Sequence, residues 1–340
     1  MKYNDLLKKI RDTLPDDYSL MKDHIPSLHQ KVSGVIESLF SDFGKGDKKY
    51  NTLLSEINEL DNVRCNHIIN TFLLGIALYE ECDNFKIQID KNIEKYVNEE
   101  FKKDFFFFWF LICLFHDLGY AEENKGKDSA AFSNDFSKIS PLDDVDGVLA
   151  LFKKVYPYYF LYRKIEFGVV DHGIYAGRKM FHDLCKIREE HASNNSNPKL
   201  WREELIQIYN LVSWVVLAHN IWFTLDTDTK KSQMYRKYKL EELILDTDGK
   251  NNVVEYPITL QDYPFLFLFC LVDLIEPMKK IGDAECCNSI DFKLNDNTLT
   301  ISSELKCNCI EEYFNNIAKA SEWLCGVEKD TSQGVKIKLC

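Results

Sequence analysis

Five segments of this chain are built almost wholly of apolar residues, and each carries an imidazole or a carboxylate. His67 lies in RCNHIINTFLLG, and His116 with Asp117 closes the run in LICLFHDLGY. His172 sits in VVDHGIYAG, His219 in VVLAHNIW, and Asp273 interrupts FLFCLVDLIEP. An ionised carboxylate buried without a partner is costly, so a buried Asp is paired or bound to a metal. A single histidine on an apolar face is most often a hydrogen-bonded core residue. Five such segments together are hard to explain by packing alone, and they point to elements that converge on one polar centre.

Breakers are scarce: 14 glycines and 8 prolines in 340 residues, about half the average usage. That scarcity favours long helices over many short strands, and a mostly α fold is expected. Val32, Val35, Ile36 and Leu39 follow the spacing of one helix face, giving a helical lead-in over 1–50. A charged stretch at 80–104 carries few core residues and looks like an insertion. Phe105–Phe115 reads as a helix apolar all round, hence central. Residues 121–144 are polar and small, long enough for a functional loop. Further apolar helices are expected at 166–187, 201–223 and 261–275, with a polar excursion at 226–252. Around Asn295-Asp296-Asn297 the residues alternate as a hairpin does, 310–323 has helical spacing, and 335–339 resembles a last strand. The expected organisation is a lead-in (1–50), a helical main domain (51–285) and a small β-β-α-β appendage (286–340).

With 45% apolar and 28% charged residues the composition is that of an ordinary globular protein. The net charge of −12 argues against an extended nucleic-acid surface, which needs a basic face. It permits a small phosphorylated substrate, because a bound metal reverses the field in one cleft. The longest apolar runs fall short of a membrane span, so no membrane partner is expected. The eleven cysteines are scattered behind an amphipathic, charged N-terminus, which fits a cytoplasmic protein with reduced thiols. Cys286, Cys287, Cys307, Cys309 and Cys325 lack the paired spacing of a zinc site and read as packed thiols. No P-loop or dinucleotide-binding glycine pattern occurs.

The adjacent pair His116-Asp117 carries most of the chemistry. Neighbouring helical residues point about 100° apart, so both reach one ion from a helix end, and Gly119 is a natural terminator that leaves the pair at an opening. Imidazole with carboxylate suits Mn, Fe, Co, Ni or Zn, with Mg less favoured at a histidine-rich site. Asp171 and Asn220 stand beside His172 and His219 and are candidates to orient the imidazoles.

The order His67, His116-Asp117, His172, His219, Asp273 resembles the H…HD…H…H…D pattern of the HD-domain superfamily of metal-dependent phosphohydrolases, in its two-metal form, over residues 51–280. The resemblance implies an HD-type helical bundle with the α+β appendage at its C-terminal end. It implies that His67, His116, Asp117 and Asp273 hold one divalent transition metal, and that Asp117 bridges to a second held by His172 and His219. Two such metals lower the pKa of a bridging water and clamp phosphoryl oxygens around an in-line attack, so the implied nucleophile is metal-bound hydroxide. The 49 residues from His67 to His116 exceed the spacing of compact members, and the 80–104 stretch would absorb the excess. Tyr120 stands after HDLG, where the cyclic-dinucleotide branch has Lys, which disfavours cyclic di-GMP as substrate.

Substrate phosphates need cations besides the metals. Lys125 and Lys127 follow the HD pair and are placed to reach over the opening. Arg64 precedes His67 by three positions on one helical face, and Arg178 lies about two turns after His172. Arg64 and Lys125 are therefore candidates to assist Asp117 in catalysis, and Lys127 and Arg178 to bind phosphate. His24, His29, His182 and His191 read as surface or packing residues. The expected activity is hydrolysis of a phosphate ester or anhydride, of a nucleotide or short oligonucleotide. A di-iron oxygenase on the same scaffold and a ligand-sensing module without turnover are the alternatives. The appendage is a candidate for ligand binding, regulation or assembly into a homo-oligomer.

Overall fold

The computed structural model describes residues 1–13, 62–97, 105–120, 123, 142, 149–193, 201–245, 258–295, 297–331 and 334–339. The expected lead-in helix around Val32–Leu39 and nearly all of the 121–144 loop lie outside them, as do Lys125, Lys127, His24 and His29. Among the described residues the fold is mostly α. In chain order the helices are α1 (Tyr3–Thr13), α2 (Asn62–Glu81), α3 (Asp83–Ile93), α4 (Phe105–Phe115), α5 (Ala150–Phe167), α6 (His172–Ser193), α7 (Glu204–Ala218), α8 (Thr229–Lys237), α9 (Pro264–Ile275), α10 (Pro277–Ile281), α11 (Ala284–Asn288) and α12 (Asn308–Lys319). The strands are β1 (Thr224–Leu225), β2 (Ile244–Leu245), β3 (Ile290–Asn295), β4 (Thr298–Ser303), β5 (Val327–Thr331) and β6 (Gly334–Lys338). No helix among the described residues is long and apolar enough to cross a membrane.

The chain divides into two compact units, Met1–Asn92 with Thr259–Cys340, and Ile93–Ile258. In the first, α9 packs on α2, and α1 packs on both α2 and β3. The four-stranded antiparallel sheet has the order β3-β4-β6-β5. Leu299 and Ile301 alternate inward from β4, while Ile310, Tyr313, Phe314 and Ile317 form the 3, 4, 7 stripe that α12 buries. The expected appendage is thus joined to the chain's start. Met1 donates its terminal amine to the Phe292 carbonyl at 2.8 Å, and the Phe292 N–H returns a bond to the Met1 carbonyl at 2.9 Å.

In the second unit α4 is buried all round, as its unbroken apolar sequence requires, and α6 and α7 pack side by side on it. Gly177 permits that approach: a Cβ there would lie 2.5 Å from the Ser213 carbonyl oxygen of α7.

Several elements differ from the sequence expectations. The 80–104 stretch contributes core rather than a bare insertion, because α3 buries Phe85, Ile89 and Ile93. The helix expected at 166–187 begins only at His172. Residues up to Phe167 end α5, whose C-terminal Gly168 takes the left-handed conformation (φ +67°) and closes the helix by donating to the Lys164 carbonyl at 3.1 Å. Strand β5 has no apolar alternation in its sequence, VEKDT, and pairs at the sheet edge.

Candidate metal centre

Three histidines and one aspartate of the second unit come from the ends of three helices. His116 and Asp117 continue from the C-terminus of α4, His172 is the first residue of α6, and His219 caps the C-terminus of α7. The rings of His172 and His219 lie 5.3 Å apart, and those of His116 and His219 5.8 Å apart. All four residues are buried, with His116 and Asp117 fully so; the pair is therefore not left at an open helix end. Gly119 brings the HD turn against α6, since its missing Cβ would stand 2.2 Å from the His172 carbonyl oxygen.

Each of these imidazoles is held through Nδ1. His116 Nδ1 lies 2.7 Å from the Cys113 carbonyl, and His219 Nδ1 2.6 Å from the Val216 carbonyl. A carbonyl only accepts, so Nδ1 carries the proton and Nε2 presents its lone pair. His172 Nδ1 lies 2.8 Å from Glu123 Oε2, which fixes the same tautomer once the carboxylate is ionised. His116 Nε2 is 3.2 Å from Asp117 Oδ1. In each of the three rings an oxygen thus holds Nδ1 and leaves Nε2 as the nitrogen available to a ligand.

A second layer holds this set. Arg163 donates from Nη2 to Glu123 at 2.8 Å, and its Nε lies 3.4 Å from Asp171. Burial by itself would raise the Glu123 carboxyl, but the hydrogen bonds and charges of His172 and Arg163 outweigh it and hold the pKa low. Asp171 caps α6 by accepting from the Ile174 N–H at 3.1 Å and also accepts from Asn220 at 2.7 Å. Its burial dominates and raises its pKa. Asp171 and Asn220 therefore bind each other rather than a histidine each. Tyr120 stacks on His172 with centroids 3.8 Å apart.

The first unit holds the other two predicted ligands. His67, fully buried on α2, places Nε2 2.8 Å from Asp273 Oδ1 and Nδ1 2.8 Å from Glu276 Oε2. Glu276 also accepts from Tyr3 Oη at 2.6 Å, Asn70 at 3.2 Å, and the N–H groups of Met278 and Lys279 at 3.0 and 3.1 Å. Burial would raise its pKa, yet His67, Tyr3 and the Lys279 N–H hold it low. Asp273 is likewise lowered against its burial, by Lys279, Lys280 and His67. For His67, burial and Lys279 disfavour the charge, and the two carboxylates outweigh them and raise the pKa.

Glu276, Glu123 and Arg163 were not among the residues anticipated. Glu276 had a signal: it lies three positions after Asp273 in the same apolar run, where an unpaired acid has no reason to be buried. Glu123 and Arg163 had none, because only the fold brings them to His172. Arg64 stands on α2 three residues before His67. Arg178 is half-buried, with its pKa lowered by burial. Six helical positions put it about 9 Å along α6 and about 120° round from His172, away from that histidine's face. His191 stacks on Trp201 at 4.8 Å.

Cys286, Cys307 and Cys309, all in the first unit, form a separate group that could hold a metal ion. No family model, curated protein or solved structure matches this chain.

Proposed function

We propose that the protein is a metal-dependent phosphohydrolase of the HD type, acting on a phosphate ester or anhydride of a nucleotide or short oligonucleotide. The observation that carries this reading is that His116, His172 and His219 are each tied to an oxygen through Nδ1, with His116 Nε2 3.2 Å from the buried Asp117 carboxylate. Packing requires one satisfied nitrogen per ring; it does not require three rings to present the same atom. In this proposal the second unit supplies His116, Asp117, His172 and His219. Imidazole with carboxylate suits two ions of Mn, Fe, Co, Ni or Zn better than Mg. Bound there, the ions would supply an activated water and charge stabilisation for phosphoryl transfer.

The residues around the donors have separate tasks. Glu123 keeps His172 in its ligating tautomer, and Arg163 keeps Glu123 ionised. Glu276 does the same for Nδ1 of His67. Arg64, Lys125 and Lys127 remain candidates to meet substrate phosphate, whereas Arg178 lies away from the face of His172. The ten described cysteines are all thiols, in keeping with a cytoplasmic site of action.

The test compares the full-length chain with Asp117→Ala for metal content by elemental analysis and for phosphate release from nucleoside triphosphates and a diester probe. The wild-type chain should carry about two more equivalents of metal than the variant, and only the wild type should turn over, with the helical circular dichroism alike in both. Equal metal content and turnover in the two would overturn the assignment. Iron with oxygen-dependent turnover and no phosphate release would replace it with the di-iron oxygenase.

A further inference from the structure

Cys286 on α11, Cys307 at the N-cap of α12 and Cys309 within its first turn bring their sulfurs to one point. The Sγ–Sγ distances are 3.7 Å for 286–307, 3.3 Å for 286–309 and 2.7 Å for 307–309. None is a disulfide, whose sulfurs lie about 2.0 Å apart, and three thiols that merely fill space have no reason to converge so closely. A tetrahedral zinc with Zn–S bonds of about 2.3 Å separates its sulfurs by about 3.8 Å, the spacing that 286–307 already has. Cys287, beside this group in sequence, is instead fully buried, whereas the three convergent cysteines keep partial exposure, which leaves an ion a way in. The group lies 21 residues apart along the chain, across the β3–β4 hairpin.

We propose that Cys286, Cys307 and Cys309 bind a zinc ion as thiolates, with the fourth position left to water. The ion clips α11 to the start of α12 and closes the loop that carries the β3–β4 hairpin. Binding displaces the thiol protons to solvent and changes no oxidation state, so it needs no oxidant or reductant. The sequence spacing hides the site because its ligands are a C-x-C pair and one distant cysteine rather than two paired CxxC motifs. This site is independent of the histidine centre in ligand type and in the residues that form it.

The test uses the full-length chain, reduced and stripped of metal, titrated with Co(II) alone and then with Zn(II). Cobalt held by thiolates gives an intense sulfur-to-metal charge-transfer band in the near ultraviolet, which a site of imidazoles and carboxylates does not. The band should saturate at the intensity of one thiolate-bound cobalt per chain, vanish when Zn(II) is added, and be lost in both Cys307→Ser and Cys286→Ser. It should persist in Cys185→Ser and in Asp117→Ala. Zinc content should fall by one equivalent in the cysteine variants and stay unchanged in Cys185→Ser. Absence of the band in the reduced wild-type chain, or its survival in Cys307→Ser with circular dichroism intact, would overturn the proposal. A chain isolated under reducing conditions with a 307–309 disulfide in its mass spectrum would do so as well.

Discussion

Replacing Gly119 with alanine tests whether backbone proximity assembles the histidine cluster. A Cβ at 119 would lie 2.2 Å from the His172 carbonyl oxygen, 2.7 Å from its Cα and 2.8 Å from its carbonyl carbon. Optimal non-bonded contact is about 3.5 Å, so roughly 1 Å of separation must be found. The obstructing atoms belong to the backbone and cannot rotate away, so either the HD turn or the first turn of α6 must move. Overpacking of this kind costs about 1–3 kcal/mol, or about 2–4 °C in thermal midpoint per kcal/mol for a unit of this size. The larger consequence is for ligand geometry. Metal–ligand distances tolerate about 0.2 Å, so a shift near 1 Å would take His172 out of reach of the ion proposed to be shared with its neighbours. The expected loss in metal affinity is tenfold or more, measured by calorimetric titration of the stripped chain with Mn(II). Gly282→Ala is the control: Gly282 has open space at its Cβ but φ +71°, so alanine there costs about 1 kcal/mol through backbone strain alone. It should lower the thermal midpoint and leave Mn(II) affinity unchanged. Wild-type metal affinity in Gly119→Ala, or equal losses in both variants, would refute the reasoning.

Three further outcomes are expected. Glu123→Gln keeps the shape but removes the charge that His172 and Arg163 share, and should weaken metal binding about 10–100-fold with little change in circular dichroism; an unchanged affinity would remove Glu123 from the site. Asp171→Ala removes the α6 cap, leaves the Asn220 amide without its partner and takes one of two carboxylates from Arg163, costing about 2 kcal/mol or more in denaturant unfolding; a loss below 1 kcal/mol would contradict it. Burial, reinforced at Tyr3 by Glu276, raises the phenol pKa of Tyr3, Tyr159, Tyr235 and Tyr313. Their stabilising effect is complete below the unfolded value near 10 and is lost as pH rises above it. Phenolate absorbance should therefore rise in two phases, the second coinciding with loss of helical signal; a single phase with the helices intact would contradict the burial argument.

The parts of the fold legible in the sequence are those where burial and periodicity agree. Phe105–Phe115 is apolar on every face and forms the helix expected of it, and the hairpin around Asn295-Asp296-Asn297 has the expected strands. Where tertiary contacts override composition, the expectation fails. The charged 83–93 segment is a helix with a narrow buried stripe, and the polar β5 exists because β6 offers it a free edge. The start of α6 at His172 is decided by the Asp171 cap and the Gly168 turn, two local devices inside a segment whose spacing reads as one continuous helix.

Sequence alone determined that this chain is mostly helical and that its imidazoles and carboxylates sit in apolar surroundings, because hydrophobic burial and the scarcity of breakers are properties of composition and spacing. It also singled out His116, Asp117, His172 and His219, since polar groups amid apolar residues are visible without a fold. Only the tertiary structure decided which nitrogen each histidine presents, because that depends on the oxygen that Nδ1 meets: Cys113 and Val216 by helical proximity, and Glu123, 49 positions before His172, by the fold. The thiol triad is of the same kind. Cysteine spacing says little when the ligands come from two helices joined by a hairpin, and the packing of those helices brings the three sulfurs together.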